Sequence, residues 1–506
     1  MNDYYALRAQ VAKLVPRTVP LFGGTSTKQS IKEKGRKKGY KEFKLPEKEW
    51  TDHRRLLRVD HIGSFVEVSC RAAACPMPLN LDVWDGLRCP FGCKYCYADS
   101  FKGTLYTSFF DNAKSVGVRH CDPDYVKKQL DKLMAHRGNV SNLSGGTLEG
   151  IKRRLPRVSA SGTKFDSRGG ASGWQACKGA SKAALDRAVA LEIPMRLGIR
   201  YEDFTKSEQK LGISLSLLNY LADQSYPVMI NTKSDLVGED EYVEALARNS
   251  RGAAVHLTMI SSNNDLLKVL EPGAPSYKRR IWAMKQLADA GVRPVLRIEP
   301  FLLFLSDPPD EVERFAEDLS DAGVKHITFD TYSWTAKNPG IRRSFYDLGI
   351  DWDRLFLLGC DSQGLGSLLL GEFMKIWRGK GFSCSTFDMG NVPDNDQAVC
   401  CEVGDLFEGS GFNYGCSVMA GRFVSGRKGK HTSWKDFVDW VNTKGGFLSE
   451  SLRVEVHKLW NMEGNSSAYS HGWARGLVPV GQDESGLIWA WEDTDFRRDL
   501  LAQLDW

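Results

Sequence analysis

Between residues 193 and 332 the chain alternates short β-branched runs with amphipathic stretches of helical period, and few folds accept that rhythm. IPMRLGIRY, YPVMINTK, AAVHLTMIS, VRPVLRIEPFL and VKHITFDTY read as strands. KLGISLSLLNYLADQ, DEYVEALARN, SYKRRIWAMKQLADAG and PDEVERFAEDLSDAG read as the helices between them. Such a pattern specifies parallel βαβ units. The right-handed crossover rule curls the series into a barrel or an open doubly wound sheet. LNLDVW, at 79–84, adds a strand ahead of the series and makes six. Six units fit a partial (β/α)6 barrel of the TIM type better than a closed one of eight, and in such folds chemistry gathers at the C-terminal ends of the strands.

Residues 79–338 are therefore expected to be the α/β unit. Residues 1–78 are charged and weakly periodic, and read as an N-terminal extension. DPDYVKKQLDKLMAHRG is a helix with an Asp cap and a Gly stop. Residues 138–176, rich in Ser, Gly and Arg, look like an inserted loop, either functional or disordered. From about 340 the rhythm is expected to stop, and 339–506 reads as a mainly helical C-terminal domain containing a second group of cysteines.

No run of about 18 apolar residues is present, which argues against a transmembrane helix. The start lacks the charged-then-apolar pattern of a secretory leader, so a cytoplasmic setting without membrane is expected. The net charge of +5 is mild, but it is unevenly spread. Lys and Arg crowd 28–44, 152–157 and 422–430, as solvated loops or as contacts to a polyanion. Twelve cysteines in a chain of this kind point to metal or redox chemistry rather than to a disulfide framework.

The first strand runs into DGLRCPFGCKYCYADS. Cys89, Cys93 and Cys96 place three soft thiolates on one loop kept tight by Pro90 and Gly92. That set suits three irons of a [4Fe–4S] cluster and leaves the fourth iron without a protein ligand. A structural zinc site would want a fourth ligand nearby, and none is adjacent downstream.

The CxxxCxΦC pattern, with Tyr95 before its third cysteine at the end of a first barrel strand, resembles the signature of radical S-adenosylmethionine (radical SAM) enzymes. Within them, RLGIRYEDFTKSE, the TKSD of Thr232 to Asp235, LEPGAPS at 270–276 and LADAGVRPVLRIEPFL are similar to the branch containing spore photoproduct lyase. The matching blocks cover about a quarter of the chain. The resemblance implies a radical SAM barrel whose open iron chelates S-adenosylmethionine and cleaves it to a 5′-deoxyadenosyl radical. It implies an electron donor of the flavodoxin or ferredoxin type. It also implies that Tyr95 backs the adenine, and that Glu202, Asp203 and Lys233 contact the methionine end. Ser261 would then reach the ribose and Arg297 pair with the cofactor carboxylate. One departure is clear: the hydrogen-donor cysteine of spore photoproduct lyase has no counterpart in IRYEDF, which leaves Tyr97 or Cys177 as hydrogen-relay candidates.

Cys384, Cys400 and Cys416 sit with Cys401 among Gly, Asn and Asp, either as ligands of a second iron–sulfur cluster or zinc, or as reduced thiols. The leading expectation is an enzyme, of lyase or isomerase type, that abstracts hydrogen from a nucleic-acid base or nucleotide in thymine-type repair, rearrangement or hypermodification. The alternatives are radical modification of a protein or small metabolite, and a non-catalytic iron–sulfur protein that binds nucleic acid.

Overall fold

The computed structural model describes residues 3–14, 57–59, 79–81, 83–85, 89–96, 119–135, 194–198, 201–331, 339–352, 365–386, 430–443 and 477–491, with single positions between them. The first helix, α1 (Asp3–Leu14), is followed by β1 (Leu57–Val59), β2 (Leu79–Leu81), β3 (Trp84–Asp85) and β4 (Arg119–His120). Then come α2 (Pro123–Met134), β5 (Met195–Leu197), α3 (Lys206–Leu211), α4 (Ile213–Asp223), β6 (Val228–Thr232) and α5 (Asp240–Ala247). After these lie β7 (Ala253–Thr258), α6 (Asn264–Leu270), α7 (Tyr277–Asp289), β8 (Arg293–Phe301), α8 (Pro309–Asp321) and β9 (His326–Thr331). The rest comprises α9 (Pro339–Asp347), α10 (Leu365–Gly379), β10 (Ser383–Thr386), α11 (Trp434–Thr443), β11 (Leu477–Asp483) and β12 (Gly486–Trp491).

Strands β2, β5, β6, β7, β8 and β9 are the six expected from the sequence, and they lie parallel in that order. A doubly wound sheet would reverse its order at a switch point; this one does not. The sheet has eight strands, with β1 antiparallel to β2 at one edge and β10 parallel to β9 at the other.

The strand–helix rhythm thus does not stop near 340. It runs one unit further, because α10 carries Leu369, Leu370, Phe373 and Trp377 to the core and β10 pairs residue for residue with His326–Phe329. A four-residue strand of SCST has no β-branched residue before Thr386, so composition gave no signal for it. Near the C-terminus, β11 and β12 form an antiparallel hairpin around Glu484 and Ser485, within a region expected to be mainly helical. Trp434, Phe437, Trp460 and Trp489 are buried beside it, and the Trp434 and Phe437 rings contact the Trp460 ring.

Register separates the two faces of the main sheet. Val228, Ile230, Val255, Leu257, Leu296, Ile298, Ile327 and Phe329 alternate onto one face and are all buried in the principal hydrophobic cluster, with residues of the flanking helices. The opposite face carries Met229, Ala254 and Val295 but is otherwise polar. Asn231 pairs with His256, His256 with Val295, Thr258 with Arg297, Arg297 with Thr328, and Thr328 with Ser385. Strands buried on both faces normally read as continuous apolar runs, so a buried polar face marks a surface kept for another use. Among the described residues no helix is long and apolar enough to cross a membrane.

Candidate active site

The cysteine loop follows β3 and lies against the segment that leaves α6. The Lys94 amide donates to the Leu270 carbonyl (2.8 Å) and the Gly273 amide to the Phe91 carbonyl (2.9 Å). Within the loop, Gly92 N donates to Cys89 O (3.2 Å) and Cys96 N to Cys93 O (3.3 Å), closing two successive turns. Gly92 has φ +58°, a conformation that a side chain resists. Cys89, Cys93 and Cys96 are half-buried and form no disulfide.

Burial raises the Cys93 thiol well above its ordinary pKa. Lys233 opposes that rise, while Glu271, Cys89 and Cys96 add to it. Cys89 and Cys96 are thus both close enough to Cys93 to act on it. Among the described residues no three His, Cys, Asp or Glu side chains converge on one point, as a mononuclear metal demands. A cluster asks for something else, one thiolate on each of three separate irons, and the donor set fits that group.

Lys233, at the end of β6, is brought to the loop: its Nζ stands 5.4 Å from the centre of the Tyr95 ring. Glu202 is held against the same end of β6. Its carboxylate accepts from Thr232 Oγ1 (2.6 Å), the Lys233 amide (3.0 Å) and the Phe204 amide (3.1 Å). Burial raises its pKa against the lowering by these bonds and by Lys233. Tyr95 is itself buried, with its hydroxyl donating to Glu271.

Three residues expected to contact a cofactor have other partners. Asp203 accepts from the Trp84 amide (3.2 Å) and the Gly198 amide (2.7 Å), tying the exit of β5 to β3. Ser261 donates to Glu311 (2.8 Å) and accepts from the Asn263 amide (3.0 Å), so it braces the entry to α6. Arg297 donates to Asn231 Oδ1 (2.5 Å) and pairs with Glu299, so its charge is already neutralised within the chain.

Cys384 is not in a loop. It sits in β10, buried beside Ile327 in the register, with its thiol toward the Phe382 carbonyl (3.7 Å). Pairing with β9 fixes its position. Tyr97, Cys177, Cys400 and Cys416 lie outside the described residues.

The polar face supplies residues that the strand-end reading missed. Glu299 accepts from Thr328 Oγ1 (3.1 Å), so Asn231, Arg297, Glu299 and Thr328 form one chain of contacts across β6 to β9. Asn231 Nδ2 and Ser385 Oγ are buried without a hydrogen-bond partner. The signal was the polar residue at every second position in VHLT, LRIE and HITFD.

Fold and site together define an α/β protein whose parallel sheet bears a three-cysteine loop beyond its first parallel strand, next to Lys233 and a buried polar face. The chain is similar to spore photoproduct lyase complexed with dinucleoside spore photoproduct, at 15% identity and a TM-score of 0.33, over 58% of this chain and 64% of that one. It is also similar to Streptococcus suis SuiB bound to S-adenosylmethionine, at 11% identity and a TM-score of 0.34, over 62% of this chain and 50% of that one. No protein-family model matches the chain, and a search of curated proteins finds no match.

Proposed function

We propose that this chain is a radical SAM enzyme, built on a partial barrel, that takes a hydrogen atom from a nucleic-acid base or nucleotide. The observation that carries the reading is the position of Cys89, Cys93 and Cys96 on one tight loop beside Lys233. The three cysteines would hold a [4Fe–4S] cluster, and the cluster with S-adenosylmethionine supplies, when bound, the power to break an unactivated C–H bond. Lys233 and Glu202 would orient the methionine end of the cofactor from the end of β6 and the exit of β5.

The polar face suits a substrate recognised by hydrogen bonds. Its one described ion pair is internal, and among what it offers a ligand are neutral donors and acceptors such as the Asn231 amide. That chemistry matches the edge of a base better than an apolar metabolite. The basic stretches at 28–44 and 152–157 would then hold a phosphate backbone. Electrons would come from a flavodoxin- or ferredoxin-type donor.

The test is to incubate anaerobically reconstituted protein with S-adenosylmethionine, a reductant and deuterated thymidine-containing oligonucleotides. Deuterium is expected in 5′-deoxyadenosine. Absence of cofactor cleavage would overturn the radical reading. Cleavage without deuterium transfer from any nucleotide would move the substrate to a peptide or metabolite.

A further inference from the structure

A buried ion pair stands directly behind the cysteine loop, between the C-cap residue of α6 and a side chain of α7. Arg280 and Glu271 are both fully shielded side chains, with Nη2 2.5 Å from Oε2. Arg280 Nη1 donates to the carbonyl of Thr258, the last residue of β7 (2.7 Å), and its Nε to the Pro275 carbonyl (3.0 Å). Glu271, through its other carboxylate oxygen, accepts from the Tyr95 hydroxyl. Tyr95 lies between Cys93 and Cys96. A continuous line of charged or hydrogen-bonded contacts therefore joins the thiol loop to the end of a central strand.

The backbone reinforces it, since residues 270–273 and 91–94 are bonded at two points. At Gly273 a Cβ would come within 2.2 Å of the Pro90 carbonyl oxygen and 2.8 Å of Phe91 Cα, so the two segments are pressed together there. A buried pair of this kind adds little net stability over an apolar filling, which makes its position behind the cysteine loop informative. Groups behind metal ligands fix their orientation and are worth about ten- to a hundredfold in metal retention.

We propose that Glu271, held by Arg280, is a positioning residue for the cysteine loop: it fixes Tyr95, and through it the spacing of Cys93 and Cys96, before any cluster is bound. This rests on the proposed cluster for its purpose, but the strut can be tested without one.

Tyr95→Phe deletes a single hydroxyl and keeps the packed ring. In metal-free protein, hydrogen exchange at residues 89–96 is expected to speed up in Tyr95→Phe and in Glu271→Gln. In anaerobically loaded protein, a chelator is expected to strip the cluster about tenfold faster from either variant, and the double variant should lose it no faster than Glu271→Gln. Tyr220→Phe is the control, since it removes a hydroxyl bonded to Asp131 (2.6 Å) away from the loop; its exchange at 89–96 and its cluster lifetime should match the parent. Unchanged exchange and unchanged lifetime in Tyr95→Phe would overturn the proposal, as would losses that merely follow a lowered thermal midpoint. A parent that takes up no cluster, with exchange still faster in the variants, would support the strut and sink the radical reading instead.

Discussion

At Glu202 the contest between burial and hydrogen bonding has a measurable consequence. Burial raises its pKa, and the bonds from Thr232, Lys233 and Phe204 only partly offset that. A carboxyl with a raised folded pKa gives its full contribution to stability below the ordinary carboxylate pKa, and loses it as pH rises through the folded value. Glu202→Gln is therefore expected to flatten stability against pH over that interval, in urea unfolding followed across a pH series. A curve parallel to the parent would assign the slope elsewhere. Gly198 offers a steric prediction. It has φ +76°, and a Cβ there would lie 1.9 Å from the Asn231 carbonyl oxygen. Gly198→Ala is expected to cost about 3 kcal/mol or more, since strain at a left-handed position adds to overpacking; the urea midpoint reads it directly. The same residues show how far the site was legible. That Cys89, Cys93 and Cys96 share one tight loop was legible, because their spacing along the chain is their spacing in the loop. The contacts of Asp203, Ser261 and Arg297 were not, because their partners are Trp84, Glu311 and Asn231, which stand 119, 50 and 66 positions away.

Among the elements, α1 departs furthest from expectation. Residues 3–14 lie in a stretch that reads as charged and weakly periodic, yet Tyr4, Leu7 and Val11 are buried and the Tyr4 ring meets Phe373 of α10 at 5.1 Å. What fixes the helix is polar. The Tyr4 hydroxyl donates to Asp307, Arg8 Nε reaches the same carboxylate at 2.6 Å, and Asp307 is fully shielded after β8. Such a lock depends on a residue some 300 positions away, and local periodicity carries no trace of it. The six parallel strands, by contrast, were legible because each is a short apolar run, four of them with β-branched residues, set between helical or turn-forming segments. Strand β10 was not, for SCST becomes a strand only by pairing with β9. Asp307→Ala leaves the Arg8 guanidinium without its buried partner, at an expected cost of about 3–5 kcal/mol. Hydrogen exchange along 3–14 should quicken in that variant before the central strands respond; equal quickening everywhere would mean that α1 and the sheet open as one unit.

For the molecule as a whole, the decisive feature is that one sheet faces two environments, so that a single step along a strand changes what a side chain is for. Ile327 and Thr328 are neighbours in β9, and across the register they meet Cys384 and Ser385 in β10. Ile327 is fully buried in the principal hydrophobic cluster. Ile327→Ala should therefore cost about 2–5 kcal/mol, as removal of packed methyl groups does elsewhere. Ser385 is equally buried, but its hydroxyl has no hydrogen-bond partner. A buried hydroxyl without a partner costs about 1–3 kcal/mol, so Ser385→Ala should leave stability unchanged or raise it, by up to that amount. If the proposed function holds, Asn231→Ala, on the same face, should slow hydrogen transfer from substrate while cofactor-free stability falls less than in Ile327→Ala. Equilibrium unfolding of the three variants, set beside deuterium transfer into 5′-deoxyadenosine, checks the division. If Ser385→Ala proved as destabilising as Ile327→Ala, both faces would be packing surfaces, and the polar one would lose its claim to a ligand.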